Sequence, residues 1–267
     1  MKDPHALRAE VRRTYGRIAG IEPAGCCAPD RPAATDAHAL GYSTEDVTAL
    51  PAGADLGLGC GNPQAIASLK PGEAVLDLGS GAGFDCFLAA RRVGPTGRVI
   101  GVDMTPEMLA KARANATTAS ATNVEFRLGE IEHLPVADDS IDVILSNCVI
   151  NLSPDKGRVF REAFRVLRPG GRLAIADVVR TAELPPEVAD DLAAHCGCVA
   201  GAARVDEIEA WLRDTGFADI RIQPKDASRE FIRHWVPGRD VANFVVSATI
   251  EAVKPTGRCC EPECCRE

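Results

Sequence analysis

Between positions 74 and 177, short apolar runs alternate with segments that are apolar at every third or fourth residue. The runs at 74–78, 98–103, 123–128, 141–146 and 171–177 have strand length and predict strands. The segments 84–93, 106–116 and 155–168 predict helices; Phe84, Phe87, Leu88 and Val93 line one side of the first, and Pro106 opens the second. Strand alternating with helix predicts an α/β domain, a parallel sheet with helices on both faces. Ahead of this core, residues 1–20 predict a helix with Leu7, Val11, Tyr15 and Ile18 on its packing face and Arg8, Arg12 and Arg13 turned outward. Short helices are expected at 44–50, capped by Ser43 or Thr44, and at 63–69. Beyond the core, Ile208, Trp211 and Leu212 give 205–215 an amphipathic helical spacing. Residues 22–32 are Pro-, Gly- and Cys-rich and predict a loop, and 55–63 set three glycines around Cys60, predicting a mobile loop that presents a thiol. From Pro255 onward the pattern is lost and disorder is expected.

The junction between the first strand and its helix reads Asp77-Leu78-Gly79-Ser80-Gly81-Ala82-Gly83. Glycines there let backbone approach a ligand, and the helix start offers unpaired N–H groups. The next strand ends on Asp103, placed to accept both hydroxyls of a ribose. No lysine-bearing phosphate loop is present, which argues against ATP or GTP. A net charge of −8 argues against nucleic acid, since no basic surplus exists to neutralise phosphates. No apolar run approaches the roughly 20 residues that span a bilayer, and the N-terminus has no signal-peptide core, so no membrane association and a cytoplasmic location are expected. In that setting eleven cysteines are unexpected, because a reducing compartment disfavours structural disulfides. Their positions near loop and strand ends suggest a soft, thiophilic ligand.

The glycine motif, Asp103, Gly129-Glu130-Ile131 and Leu167-Arg168-Pro169-Gly170-Gly171 together resemble the ordered motifs of class I S-adenosylmethionine-dependent methyltransferases, over residues 69–177. A dinucleotide dehydrogenase fits the first motif less well and leaves the Leu-Arg-Pro-Gly-Gly turn unexplained. The resemblance implies a Rossmann-like sheet closed by two further strands, one antiparallel, for which 220–223 and 244–250 are the candidates. It also implies S-adenosylmethionine as cofactor. Asp103 would hold the ribose, Glu130 or the backbone of Ile131 the adenine amino group, and Asp77 with Gly79, Gly81 and Gly83 the methionine end. Ser80, Met104 and Asn147 complete the expected cofactor set.

For the methyl acceptor, the chain offers few aromatics and no suggestive histidine pair. It offers Cys148 after the fourth strand, and Cys196 and Cys198 after the fifth; Cys86 reads as inert core. No Cys-x-x-Cys spacing recurs, so the sequence carries no zinc signature. Gly-Leu-Gly-Cys60-Gly-Asn-Pro, Asn147-Cys148-Val-Ile-Asn-Leu and Cys198-Val-Ala-Gly-Ala resemble the signature of arsenite S-adenosylmethionine methyltransferases. That resemblance implies trivalent arsenic bound by Cys60, Cys148 and Cys198, with arsenite or its thiol conjugates as substrate. It implies an N-terminal redox cysteine, for which Cys26 and Cys27 are both candidates, and a reductant such as thioredoxin or glutathione. Cys196 is an extra thiol, and Cys259, Cys260, Cys264 and Cys265 give two readings of the tail, an accessory site for arsenic or another soft metal, or an unstructured segment without a catalytic role. The expected division is an N-terminal cap with cysteine loops (1–65), the cofactor-binding core (66–180), an arsenic-binding α+β extension (181–255) and the tail (256–267). Two readings compete: a methyltransferase acting on carbon of a quinone-like acceptor, and a thiol-based metalloid-sequestering protein without turnover.

Overall fold

The computed structural model describes residues 3–20, 35–236 and 239–256. Three helices precede the sheet: α1 (Pro4–Gly20), α2 (Thr44–Thr48) and α3 (Gln64–Ala67). The core follows as β1 (Ala74–Leu78), α4 (Phe84–Val93), β2 (Arg98–Asp103), α5 (Pro106–Thr118), β3 (Val124–Leu128), β4 (Ile141–Asn147), α6 (Lys156–Val166) and β5 (Leu167–Arg180). The remainder is α7 (Pro186–Ala189), α8 (Leu192–Cys196), β6 (Ala203–Arg204), α9 (Val205–Thr215), β7 (Ala218–Lys225), α10 (Arg229–Ile232) and β8 (Val245–Val253).

The strand order is β3-β2-β1-β4-β5-β8-β7, with β6 paired to β5. The core strands are parallel, and β8 runs antiparallel to both β5 and β7. Both faces are covered, so β1 is buried throughout and is apolar apart from Asp77. The chain winds outward from β1 to β3, returns to β4 and winds the other way. This reversal opens a crevice at the carboxyl ends of β1 and β4, where ligands bind in such sheets. The register brings the functional ends level: Leu78 lies opposite Val102 and Ser146, and Asn147 opposite Ala176.

Three sequence expectations change. The third predicted helix stops at Val166, because Leu167 is already extended; Pro169 disfavours helical backbone just before it, so Leu-Arg-Pro-Gly-Gly enters β5. The helix α8 was not foreseen, since five residues are too few to show a period; Asp191 caps it by accepting from the N–H groups of Ala193 and Ala194. Arg8 does not face solvent: it pairs with Glu130 at 3.4 Å and Glu132 at 3.1 Å, docking α1 over the crevice. Cys26, Cys27 and the four tail cysteines lie outside the described residues. Among the described residues no helix is long and apolar enough to cross a membrane.

A candidate active site at the carboxyl ends of the strands

The glycine turn after β1 is held by the N–H of Gly79, which donates to the carbonyl of Val102 at 2.7 Å. Gly79 has φ +67°, and a side chain there would collide with Val149. Gly81, at φ +51°, lines the cavity, and a side chain there would meet only the Met108 sulfur, at 4.0 Å. The carboxylate of Asp103 accepts from the N–H of Gly81 at 2.9 Å and of Thr105 at 2.8 Å. Asp103 lines the cavity, and the Thr105 hydroxyl and Met104 N–H also bond to its carboxylate. Burial raises its pKa, and these N–H bonds pull it back down. Ser80 adds a buried hydroxyl that has no partner among the described residues. Asp77 also lines the cavity; burial, with Asp85 nearby, pushes its pKa well up, and the Cys86 thiol donates to it at 3.2 Å. Cys86 itself is fully buried, as expected of core.

Two residues of the expected cofactor set do not line the cavity. Glu130 is engaged by Arg8 and Arg12 and does not line it, whereas Ile131 does. Gly83 does not line the cavity either. At φ +95° it caps α4, and a side chain there would strike Phe87 and Phe126, so its need for glycine is one of packing.

The thiols meet on the other side of the crevice. Cys148 follows β4 and Cys198 follows α8, and both hold left-handed backbone, φ +60° and +62°. For non-glycine residues that conformation costs about 1–3 kcal/mol, and it concentrates at functional positions. The Cys198 thiol donates to the Cys148 carbonyl at 2.8 Å. The sulfurs of Cys60 and Cys148 and a carboxylate oxygen of Asp177 lie within 4.8 Å of one another. All three cysteines are buried in one apolar cluster. The pKa of Cys148 is raised by Cys198, Cys60 and burial, and that of Cys60 chiefly by burial. Cys196 turns its thiol toward Thr14, on the α1 side.

The loop carrying Cys60 is pinned rather than loose. The Cys60 N–H donates to Asn147 Oδ1 at 3.0 Å, Asn147 Nδ2 donates to the Gly61 carbonyl at 2.9 Å, and the Ser247 hydroxyl donates to the Cys60 carbonyl at 2.6 Å. These opposite partners fix the amide orientation of Asn147. Its remaining contacts, to Tyr42 and Asp85, complete a buried network that pattern reading missed, because none of those residues belongs to a motif. Asn147 lines the cavity, but its polar atoms serve the Cys60 loop.

A methyltransferase-domain family model matches residues 69–216. The chain is 55% identical to an arsenite methyltransferase of Halobacterium salinarum, over 95% of this chain and 68% of that protein. This chain belongs to the arsenite methyltransferase family. It is also 47% identical to an arsenite methyltransferase of Aquipseudomonas alcaligenes, over 61% of this chain and 49% of that protein. The human arsenite methyltransferase is 32% identical, over 81% of this chain and 59% of its own length. Among solved structures, an arsenic(III) S-adenosylmethionine methyltransferase of Chlamydomonas reinhardtii superposes with a TM-score of 0.64 at 35% identity, covering 85% of this chain and 76% of that one. The cofactor of the family is S-adenosylmethionine, and the crevice fits it. Gly79, Ser80, Gly81 and Asp103 all line the cavity, and Ser80 holds a buried hydroxyl without a partner among the described residues.

Proposed function

We propose that this chain transfers methyl groups from S-adenosylmethionine to trivalent arsenic bound by Cys60, Cys148 and Cys198. The observation that carries this reading is the meeting of three buried thiols, from three separate loops, beside the cofactor cradle. Arsenous acid and three thiols exchange three As–O bonds for three As–S bonds, and three waters leave carrying the thiol protons. The complex is neutral, which suits an apolar pocket in which the Cys148 and Cys60 thiols have raised pKa values. It keeps the arsenic lone pair, so the nucleophile carries no proton and needs no general base. S-adenosylmethionine, when bound, supplies an electrophilic methyl carbon on a good leaving group. The protein positions: Asp103 fixes the ribose, Asn147 and Ser247 fix Cys60, and the left-handed turns fix Cys148 and Cys198.

Forming the As–C bond takes two electrons formally from arsenic, leaving it pentavalent. A dithiol closing to a disulfide returns them, and we assign the N-terminal member to Cys26 or Cys27. Thioredoxin or glutathione reopens that disulfide, which places the enzyme in a reducing compartment such as the cytoplasm. The tail cysteines bind arsenic without shaping the transition state.

Incubation with methyl-labelled cofactor, arsenite and a small thiol tests the reading: label is expected in methylated arsenicals. Label in a quinone, or stoichiometric arsenic binding without methylated product, would favour the competing functions. Asn147→Ala should raise the arsenite concentration for half-maximal rate about thirtyfold, from two lost bonds of about 1 kcal/mol each. Cofactor affinity, read by calorimetry, should change less than threefold. Equal losses for both ligands would make Asn147 a cofactor residue instead.

A further inference from the structure

Arsenic is satisfied by three sulfurs and a lone pair, yet the donor cluster contains a carboxylate. Asp177 lies in the buried stretch of β5, only 2% exposed, with one oxygen within 4.8 Å of the sulfurs of Cys60 and Cys148. Its orientation is fixed: one oxygen accepts from Val178 N–H at 2.7 Å and Asn151 Nδ2 at 2.8 Å, the other from Ile150 N–H at 2.9 Å. A hard carboxylate oxygen is a poor ligand for trivalent arsenic but a normal one for zinc.

We propose that Cys60, Cys148 and Asp177 form a second, overlapping site for a thiophilic divalent cation of the zinc type. It shares two thiols with the arsenic site and takes its third donor from Asp177 instead of Cys198. Spacing along the chain gives no zinc signature; the fold creates one by bringing residues from positions 60, 148 and 177 together. Zinc–sulfur bonds of about 2.3 Å set tetrahedral sulfurs about 3.8 Å apart, and the donor atoms here all lie within 4.8 Å of one another. Cys148 lines the cavity and gives the ion its entry.

The charges balance. Before binding, the three groups carry one negative charge, on Asp177. Zinc forms two Zn–S bonds and one Zn–O bond, two thiol protons leave to solvent, and the site again carries one negative charge. A third thiolate, from Cys198, would add a second negative charge in a dry pocket, so water rather than Cys198 takes the fourth corner. The attraction of Lys156 for Asp177 serves the bound form as it does the free one. The consequence, which rests on the arsenic assignment of Cys60 and Cys148, is that zinc and arsenite exclude each other and zinc inhibits methylation competitively with arsenite.

The test uses the full chain with Cys26, Cys27, Cys259, Cys260, Cys264 and Cys265 replaced by serine, so that only the buried thiols remain, in a thiol-free reductant. Zinc and arsenite affinities are measured by equilibrium dialysis. One zinc per chain is expected. Asp177→Asn should weaken zinc at least about tenfold and leave arsenite within about twofold, and Cys198→Ser should do the reverse. Zinc X-ray absorption should show two sulfur and two oxygen donors, a readout that holds even where Asp177→Asn folds poorly. Unchanged zinc affinity in folded Asp177→Asn, three or more sulfurs on zinc, or no stoichiometric zinc would overturn the proposal. If Cys198→Ser leaves arsenite affinity unchanged, the three-thiol arsenic reading fails while the zinc site stands on its own measurements.

Discussion

Changing Cys148 or Cys198 to serine should lower the rate of arsenite methylation by a factor of about 1,000 or more, a loss of about 4 kcal/mol in the transition state. Serine is nearly isosteric, so the fold has little to lose; what changes is the bond to arsenic. An As–O bond to serine has no advantage over the As–O bonds arsenic already makes with water, whereas the softer thiolate does. Neither loss can be repaired locally. Each cysteine sits on a single left-handed residue, which fixes where its side chain starts. The nearest spare thiol, Cys196, is turned toward Thr14 on α1. Cys60→Ser should behave differently: arsenite turnover falls, but monomethylarsenite, with only two exchangeable positions, remains a substrate. Rates with both arsenicals, beside thermal melting and cofactor titration of each variant, make the comparison. Near-normal arsenite turnover in either the Cys148 or the Cys198 variant would refute a three-thiol site.

The parts of this molecule that were legible in sequence are those whose chemistry is local. Strand, glycine turn and helix are contiguous, so β1, the glycine turn and Asp103 could be placed from spacing alone, and the parallel sheet followed from the alternation. The cysteines were legible through their neighbours, because each arrives inside its own short signature. What escaped was long-range. The loop around Cys60 looks mobile on composition, since glycine offers no local structure; Asn147 and Ser247, distant in sequence, supply the anchors. Glu130 sits in a motif associated with adenine, but Arg8 and Arg12 from the first helix claim its carboxylate. Asp177 reads as an ordinary strand residue, and only the junction of β4, β5 and the Cys60 loop sets it among sulfurs. Backbone strain at Cys148 and Cys198 has no sequence marker, because left-handed conformation is signalled by glycine and asparagine, not by cysteine.

Asp103→Ala should weaken S-adenosylmethionine binding by between about tenfold and a thousandfold, about 1.4–4 kcal/mol, because two charge-assisted bonds to the ribose are lost and water entering the vacated space replaces part of them. The effect has a second source: the Gly81 and Thr105 N–H groups, which now donate to this carboxylate, would lose their partner and the glycine cradle its brace. Asp103→Asn should recover little, since the amide nitrogen placed against either N–H sets donor against donor. Acidity should act on the same group. Burial raises the pKa of Asp103, so cofactor affinity should be full where the carboxylate is ionised and begin to fall on acidification at a higher pH than an exposed aspartate would allow. Arsenite binding should stay within about twofold, because the thiols come from other loops and touch neither Asp103 nor the turn. Isothermal titration of the cofactor, with arsenite binding measured in parallel, separates the two sites. Unchanged cofactor affinity in Asp103→Ala would remove this residue from the ribose, and an equal loss of arsenite would mean that the cradle and the thiol cluster are one structural unit.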